Sequence, residues 1–256
     1  MEALMRNRLL QLLAENKKPF EPIQNKIVAK DGQAAIYLYD PIVGDRATAE
    51  WWGGVCPQDF VPAVRALEAD EITLYTNCPG GDVFAAEAMC QALREHSAKV
   101  VMQIEGYAAS AATSMACACD EVVATAASKY MIHQTWTLAI GNADDLLQTV
   151  ELLRKCDDSM FAEYERRTGQ TREQIIEWCK AETWFTAEDA VRYGFVDRIL
   201  TSAQPSASSA RNWNLSAYAN APRMAAPTVP VEKVTTDEHR ARQQQRLAMM
   251  IRLQVS

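Results

Sequence analysis

An α/β fold built on a parallel sheet is predicted by two features of this chain. First, apolar strand-like runs alternate with helical periodicity: "EITLYTN", "DVFAAEAMCQALREH", "AKVVMQIEG", "YAASAATSMACAC" and "KYMIH" read as strand, helix, strand, helix, strand. Such alternation in units of roughly 30 residues means parallel strands joined by right-handed crossovers. Second, 256 residues that are 48% hydrophobic suffice for one substantial core with appendages.

The elements follow in order. Residues 3–15 form an amphipathic pattern that stops near Asn16 and Pro19. "KIVAKDGQAAIYLYDPI" holds one or two strands around a turn at Asp31-Gly32. In "PQDFVPAVRALEA", Phe60, Val64 and Leu67 recur at helical spacing, and Pro62 sits early enough to be tolerated. After the strand at 71–77, "CPGG" is a tight turn, and Val83, Ala86, Met89 and Leu93 mark the inward face of the next helix. "YAASAATSMACAC" is assigned to a helix, and "DEVVATAAS" leads to the strand at "KYMIH". A long helix spans 143–167, capped by Asn142, with Asp144 and Asp145 in its first turn and Gly169 at its end. Leu146, Val150, Leu153, Asp157, Met160 and Tyr164 trace one of its faces. "TREQ" opens a helix at 171–180, and Thr186, three residues before Asp189, opens another. "VDRIL" closes the folded domain. Residues 201–235 are rich in Ala, Ser and Pro and read as linker; 236–256 form a basic tail with helical tendency.

Composition excludes several classes. The net charge is −7, unevenly placed: −11 over the first 200 residues and +4 over the remainder, which argues against a nucleic-acid partner. Seven cysteines, an odd number set beside apolar residues, fit free thiols in a reducing compartment. None has zinc spacing, and three scattered histidines make no metal cluster, so neither metal nor cofactor is expected. The N-terminus lacks the uncharged run of a signal peptide, and no stretch approaches a membrane span. A cytoplasmic protein is expected, with no membrane partner.

Chemistry in α/β folds gathers where strands hand over to helices. Three such points stand out. "NCPGGDV" places Gly80-Gly81 between strand and helix, where backbone N–H groups face an anion. "GYAAS" places Ser110 after a strand, among small residues that let another backbone approach. "YMIHQ" ends a strand on His133. A lone serine there serves packing, and a lone histidine is an ordinary half-buried one. Together they are a nucleophile and a base on one sheet edge beside an anion-holding turn.

These motifs, in this order, resemble the ClpP family of serine peptidases over residues 26–200, and more narrowly the head maturation proteases of tailed phages and prophages. "NCPGGDV" resembles the family's Asn-Ser-Pro-Gly-Gly turn, "GYAASAAT" its nucleophile segment, "MIHQ" its histidine segment and "AETWFTAEDAVRYGFVD" the segment supplying the acid. "NADDL", "AETWFTAEDA" and the extra C-terminal tail suggest the phage branch. The resemblance implies a ClpP/crotonase-like spiral of repeated β-β-α units with a projecting handle helix. It implies a serine endopeptidase with a catalytic triad of Ser110, His133 and Glu182. It implies an oxyanion hole from Gly81 and Ala111, and an extended substrate beside residues 81–85, against Gly80, Asp82 and Val83. Two departures stand out. Glu182 takes a position usually held by Asp, with Asp189 and Asp197 as competing carboxylates, and Cys78 replaces a commoner Ser. The resemblance further implies protein or peptide substrates, capsid or scaffold proteins in the phage branch, acting in the bacterial host cytoplasm or inside an assembling prohead. It implies a homo-oligomeric ring, typically of seven. With no Gly-Lys-Ser/Thr context the chain carries no ATPase motif, so any unfolding falls to another protein. Self-cleavage is expected within the linker. Two rival readings are a non-catalytic ClpP-like shell or scaffold subunit and a crotonase-like acyl-CoA enzyme. The second would leave Ser110 and His133 without purpose.

Overall fold

Asp31 and Gly32 both take positive φ, 53° and 74°, as a two-residue type I′ turn requires. They join β1 (Ile27–Lys30) to β2 (Gln33–Leu38) in an antiparallel hairpin. This computed structural model describes residues 8–200 and 213–222. From the hairpin the sheet continues in parallel through β3 (Glu71–Cys78) and β4 (Lys99–Ala109). The first half of β4 pairs β5 (Glu121–Ala124), which pairs β8 (Arg198–Ile199); its second half pairs β6 (Lys129–Ile132). β7 (Thr183–Thr186) lies antiparallel to β6. One long strand thus serves two neighbours in succession, and the α/β spiral expected from the sequence is present.

Helices α1 (Arg8–Glu15), α2 (Arg46–Trp52) and α3 (Pro57–Arg65) precede β3. Then come α4 (Val83–Arg94), α5 (Ala111–Cys117), α6 (Ala143–Thr168), α7 (Arg172–Lys180) and α8 (Ala187–Arg192). The caps are those the sequence suggests. Asn142 and Asp145 exchange the two bonds of a capping box, Gly169 ends α6 in the left-handed conformation, and Thr171 and Thr186 cap α7 and α8. Ile36, Leu74, Met89, Met102 and Phe195 are fully buried between sheet and helices.

Four features differ from the sequence expectation. β4 runs on through Tyr107-Ala108-Ala109, because pairing with Cys78 on one side and Lys129–Met131 on the other overrides the helical preference of alanine. α2 and β7 are additional elements. On α6, Asp157, Phe161 and Tyr164 are buried, whereas Leu146, Leu147, Val150 and Leu152 are exposed, so only the second half of this helix packs on the body. Lastly, residues 213–222, inside the stretch read as linker, pack against the domain: Trp213, Leu215 and Tyr218 join Leu12, Tyr107 and Met131 in one buried cluster. Residues 1–7, the expected tail helix and most of the expected self-cleavage region lie outside the described residues.

Candidate active site

β3, β4 and β6 end at the same edge of the sheet, and each delivers one part of the site. Ser110 follows β4 at φ 55° and ψ −128°, a conformation that costs a non-glycine residue about 1–3 kcal/mol. Its main chain is fixed on both sides. Its N–H donates to Met131 O at 2.9 Å, and its carbonyl accepts from Thr113 N–H at 2.8 Å and Thr113 Oγ1 at 2.6 Å. Thr113 is itself buried and bonded to Tyr164 of α6. The result lifts the Ser110 hydroxyl to the mouth of α5, 2.7 Å from Nε2 of His133.

His133 follows β6 and is buried, its ring edge-on to Tyr218 at 5.6 Å and near Trp136 at 6.1 Å. The next two residues are anchored from α6: the buried Asp157 carboxylate accepts from Thr135 N–H at 2.7 Å and from Gln134 Nε2 at 3.3 Å.

The glycine turn explains the small residues of the serine segment. A Cβ on Gly80 would stand 2.5 Å from Ala109 O and 2.7 Å from Ser110 Cβ, so this turn rests directly on the serine's backbone. A Cβ on Gly81, at φ 144°, would stand 1.9 Å from Ile42 O. Main-chain bonds from Ile42 N–H to Gly80 O and from Asp82 N–H to Ile42 O clamp the turn. Gly81, Asp82 and Val83 line the same cleft as Ser110 and His133. Asp82 also caps α4 through Ala85 N–H. Val83 starts that helix, so residues 83–85, expected beside a strand edge, are helical. Ala111 is the first residue of α5 and lines an adjoining lobe of about 410 Å³ between α4 and α6, walled by Val83, Leu152 and Met160.

The candidate carboxylates are clearly separated. Asp197 accepts from Val122 N–H and pairs with Arg167, and Asp189 pairs with Arg192 and accepts from Thr186 Oγ1. Glu182 is buried, at φ 49°. It lies one step beyond the last β6–β7 pair, Ile132 with Thr183, on the strand end facing His133. One of its oxygens, Oε1, accepts from Asn220 N–H at 2.7 Å. Cys78 points away from the cleft: its thiol donates to Asp40 O, and burial pushes its pKa up to about 12. Tyr218 and Asn220 went unrecognised in the sequence, since an Ala/Ser/Pro-rich stretch gives no periodic signal. Among the described residues no cluster of His, Cys, Asp and Glu could hold a metal, and no helix is long and apolar enough to cross a membrane.

The family model described as Clp protease matches residues 58–203. A similar protein is the ATP-dependent Clp protease proteolytic subunit 3 of Rhodococcus jostii, 34% identical over 134 residues, or 52% of this chain and 66% of the relative. The proteolytic subunit of Deinococcus radiodurans is 30% identical over 51% of this chain and 65% of its own length. Proteolytic subunit 1 of Corynebacterium jeikeium is 33% identical over 64% of this chain and 88% of its own. The chain thus spans just under two thirds of the first two relatives and most of the third.

Proposed function

The chain belongs to the Clp protease family, and from that premise we propose that it is a serine endopeptidase working through Ser110, His133 and Glu182. The observation that carries the reading is the 2.7 Å contact between Ser110 Oγ and His133 Nε2, at a serine held in a strained backbone conformation. His133 takes the hydroxyl proton as Oγ attacks a peptide carbonyl, then returns it to the leaving amine. Glu182 holds the imidazole in the working tautomer and balances its charge, as triad carboxylates do. The N–H groups of Gly81 and Ala111 meet the developing oxyanion, each worth about 3 kcal/mol of barrier. Water then releases the acyl-enzyme. The lobe walled by Val83, Leu152 and Met160 suits an apolar side chain next to the scissile bond, with Glu87, Lys155 and Glu163 at its rim.

The finer assignment, to head maturation of tailed phages, is supported by "NADDL", "AETWFTAEDA" and the segment beyond residue 200. It makes capsid or scaffold proteins the substrates. The exposed apolar side chains of α6 support a homo-oligomeric ring, of seven subunits if it follows the typical family pattern. In the direct test, Ser110→Ala folds and assembles but loses peptide hydrolysis, since alanine fits among Ala109, Ala111 and Ala112. Retained turnover by that variant would refute Ser110 as the nucleophile, whereas no turnover by the wild type would favour a shell or scaffold subunit.

A further inference from the structure

Residues 213–222 reach three parts of the site: the turn after β3, His133 after β6 and Glu182 just before β7. Trp213 Nε1 donates to Asn77 O at 3.0 Å, and Tyr218 Oη donates to Pro79 O at 2.5 Å, so two side chains hold the turn that presents Gly80 and Gly81. The Tyr218 ring stands edge-on to His133 and to Trp184 of β7. Asn220 closes on the third: its side-chain amide donates to Ala181 O at 2.7 Å, and its main-chain N–H donates to Glu182 Oε1 at 2.7 Å. The segment is itself secured at its start, where Asn214 exchanges two hydrogen bonds with the buried Asn16.

We propose that residues 213–222 are a clasp that completes the catalytic site, with Asn220 and Tyr218 as positioning residues for Glu182 and His133. The proposal rests on the serine-peptidase reading above. A segment that only covered apolar surface would need Trp213, Leu215 and the Tyr218 ring. It would not need to spend a main-chain N–H on a buried carboxylate, nor anchor the carbonyl of the residue before it. Glu182 has a positive φ without being glycine, a conformation that persists only when its surroundings over-determine it. The two bonds from Asn220 supply that constraint on one side. Those from Glu182 N–H to Cys179 O and from Thr183 Oγ1 to Trp178 O supply it on the other. A triad carboxylate displaced by 1 Å costs about 10² in rate. Tyr218 also lines the cleft beside Ser110, so it shapes the wall met by substrate.

The test is a double-mutant cycle between residues 182 and 220, with kcat taken per site titrated by a fluorophosphonate. Asn220→Pro removes the main-chain donor and the side chain together. It is expected to lower kcat by about 10²-fold, with KM for a short peptide changed less than threefold. In a Glu182→Gln background it is expected to lower kcat no further, because its effect runs through that carboxylate. Should Asn220→Pro fail to fold, Asn220→Ala keeps the main-chain donor and removes only the anchor to Ala181 O. It is expected to lower kcat several-fold, again without effect on Glu182→Gln. Unchanged kcat, or an equal loss with and without Glu182, overturns the clasp while leaving labelled Ser110 in place. Absence of labelling in the wild type overturns the serine-peptidase reading instead.

Discussion

Cys78 lies one residue before Pro79 in the turn that faces Ser110, and its thiol is enclosed. Burial raises its pKa to about 12, so the thiolate fraction at pH 7 is on the order of 10⁻⁵ and stays small up to pH 9. Deprotonation is favoured only as pH climbs toward that value, above the working range of a peptidase. Iodoacetamide at pH 8 is therefore expected to leave Cys78 unmodified in the folded protein, as read by peptide mapping. Cys78→Ser is expected to hydrolyse peptide within a few-fold of wild type; loss of activity there would reopen a thiol mechanism. The carboxylates are separated in the same way. Glu182→Gln preserves shape and removes charge, and is expected to cost up to about 10⁴ in kcat. Asp189→Asn and Asp197→Asn disturb a helix cap and a strand end, and are expected to lower melting temperature while leaving kcat close to wild type. The reverse pattern in steady-state kinetics would show that another carboxylate orients the histidine.

The 77–81 turn shows what an element can require of its neighbours. Gly80 presses on the backbone of 109–111, and Gly81 presses on Ile42, both at positive φ. Gly80→Ala is expected to displace Ser110 and reduce labelling at least about 10²-fold. Gly81→Ala must move Ile42 or abandon the turn, and is expected to show a clear loss of thermal stability as well as of activity. Wild-type labelling in both would mean that the turn is not part of the site. This close approach also answers why the chain places Ala-Ala-Ser-Ala-Ala where larger apolar residues would pack better. That much was legible in advance, because glycine pairs and strand-to-helix junctions leave marks in sequence. The histidine after β6, the caps of α6, α7 and α8, and the hairpin at Asp31-Gly32 were legible for the same reason: each depends on a few adjacent residues. β7 and the last turn of β4 were not, since both are made by pairing with strands distant in sequence. Residues 213–222 were the hardest, because nothing local distinguishes Trp213, Tyr218 and Asn220 from a linker that happens to contain them.

At the scale of the whole molecule, two surfaces remain to be accounted for. The first half of α6 exposes Leu146, Leu147, Val150 and Leu152, and the loop before it exposes Ile140. An apolar stripe of this kind marks an association surface. Leu147→Glu combined with Val150→Glu is expected to reduce the assembled mass in analytical ultracentrifugation, whereas an unchanged mass would place the subunit contact elsewhere. The second surface is the one that Trp213, Leu215 and Tyr218 cover. A chain ending at 222 is expected to keep stability and activity. One ending at 200 uncovers Leu12, Tyr107 and Met131 and forfeits burial worth about 1.5–3 kcal/mol per large side chain. Equal melting temperatures for the two would contradict the docking of that segment. All of this depends on one chemical assignment, that the Ser110 hydroxyl is a nucleophile activated by His133. The most direct measurement is reaction of the full chain with a fluorophosphonate, followed by mass spectrometry of the digested protein. The account requires one adduct per chain, on the peptide containing Ser110, lost in Ser110→Ala and slowed by orders of magnitude in His133→Ala. No adduct, an adduct at another residue, or equal labelling with and without His133 would contradict it.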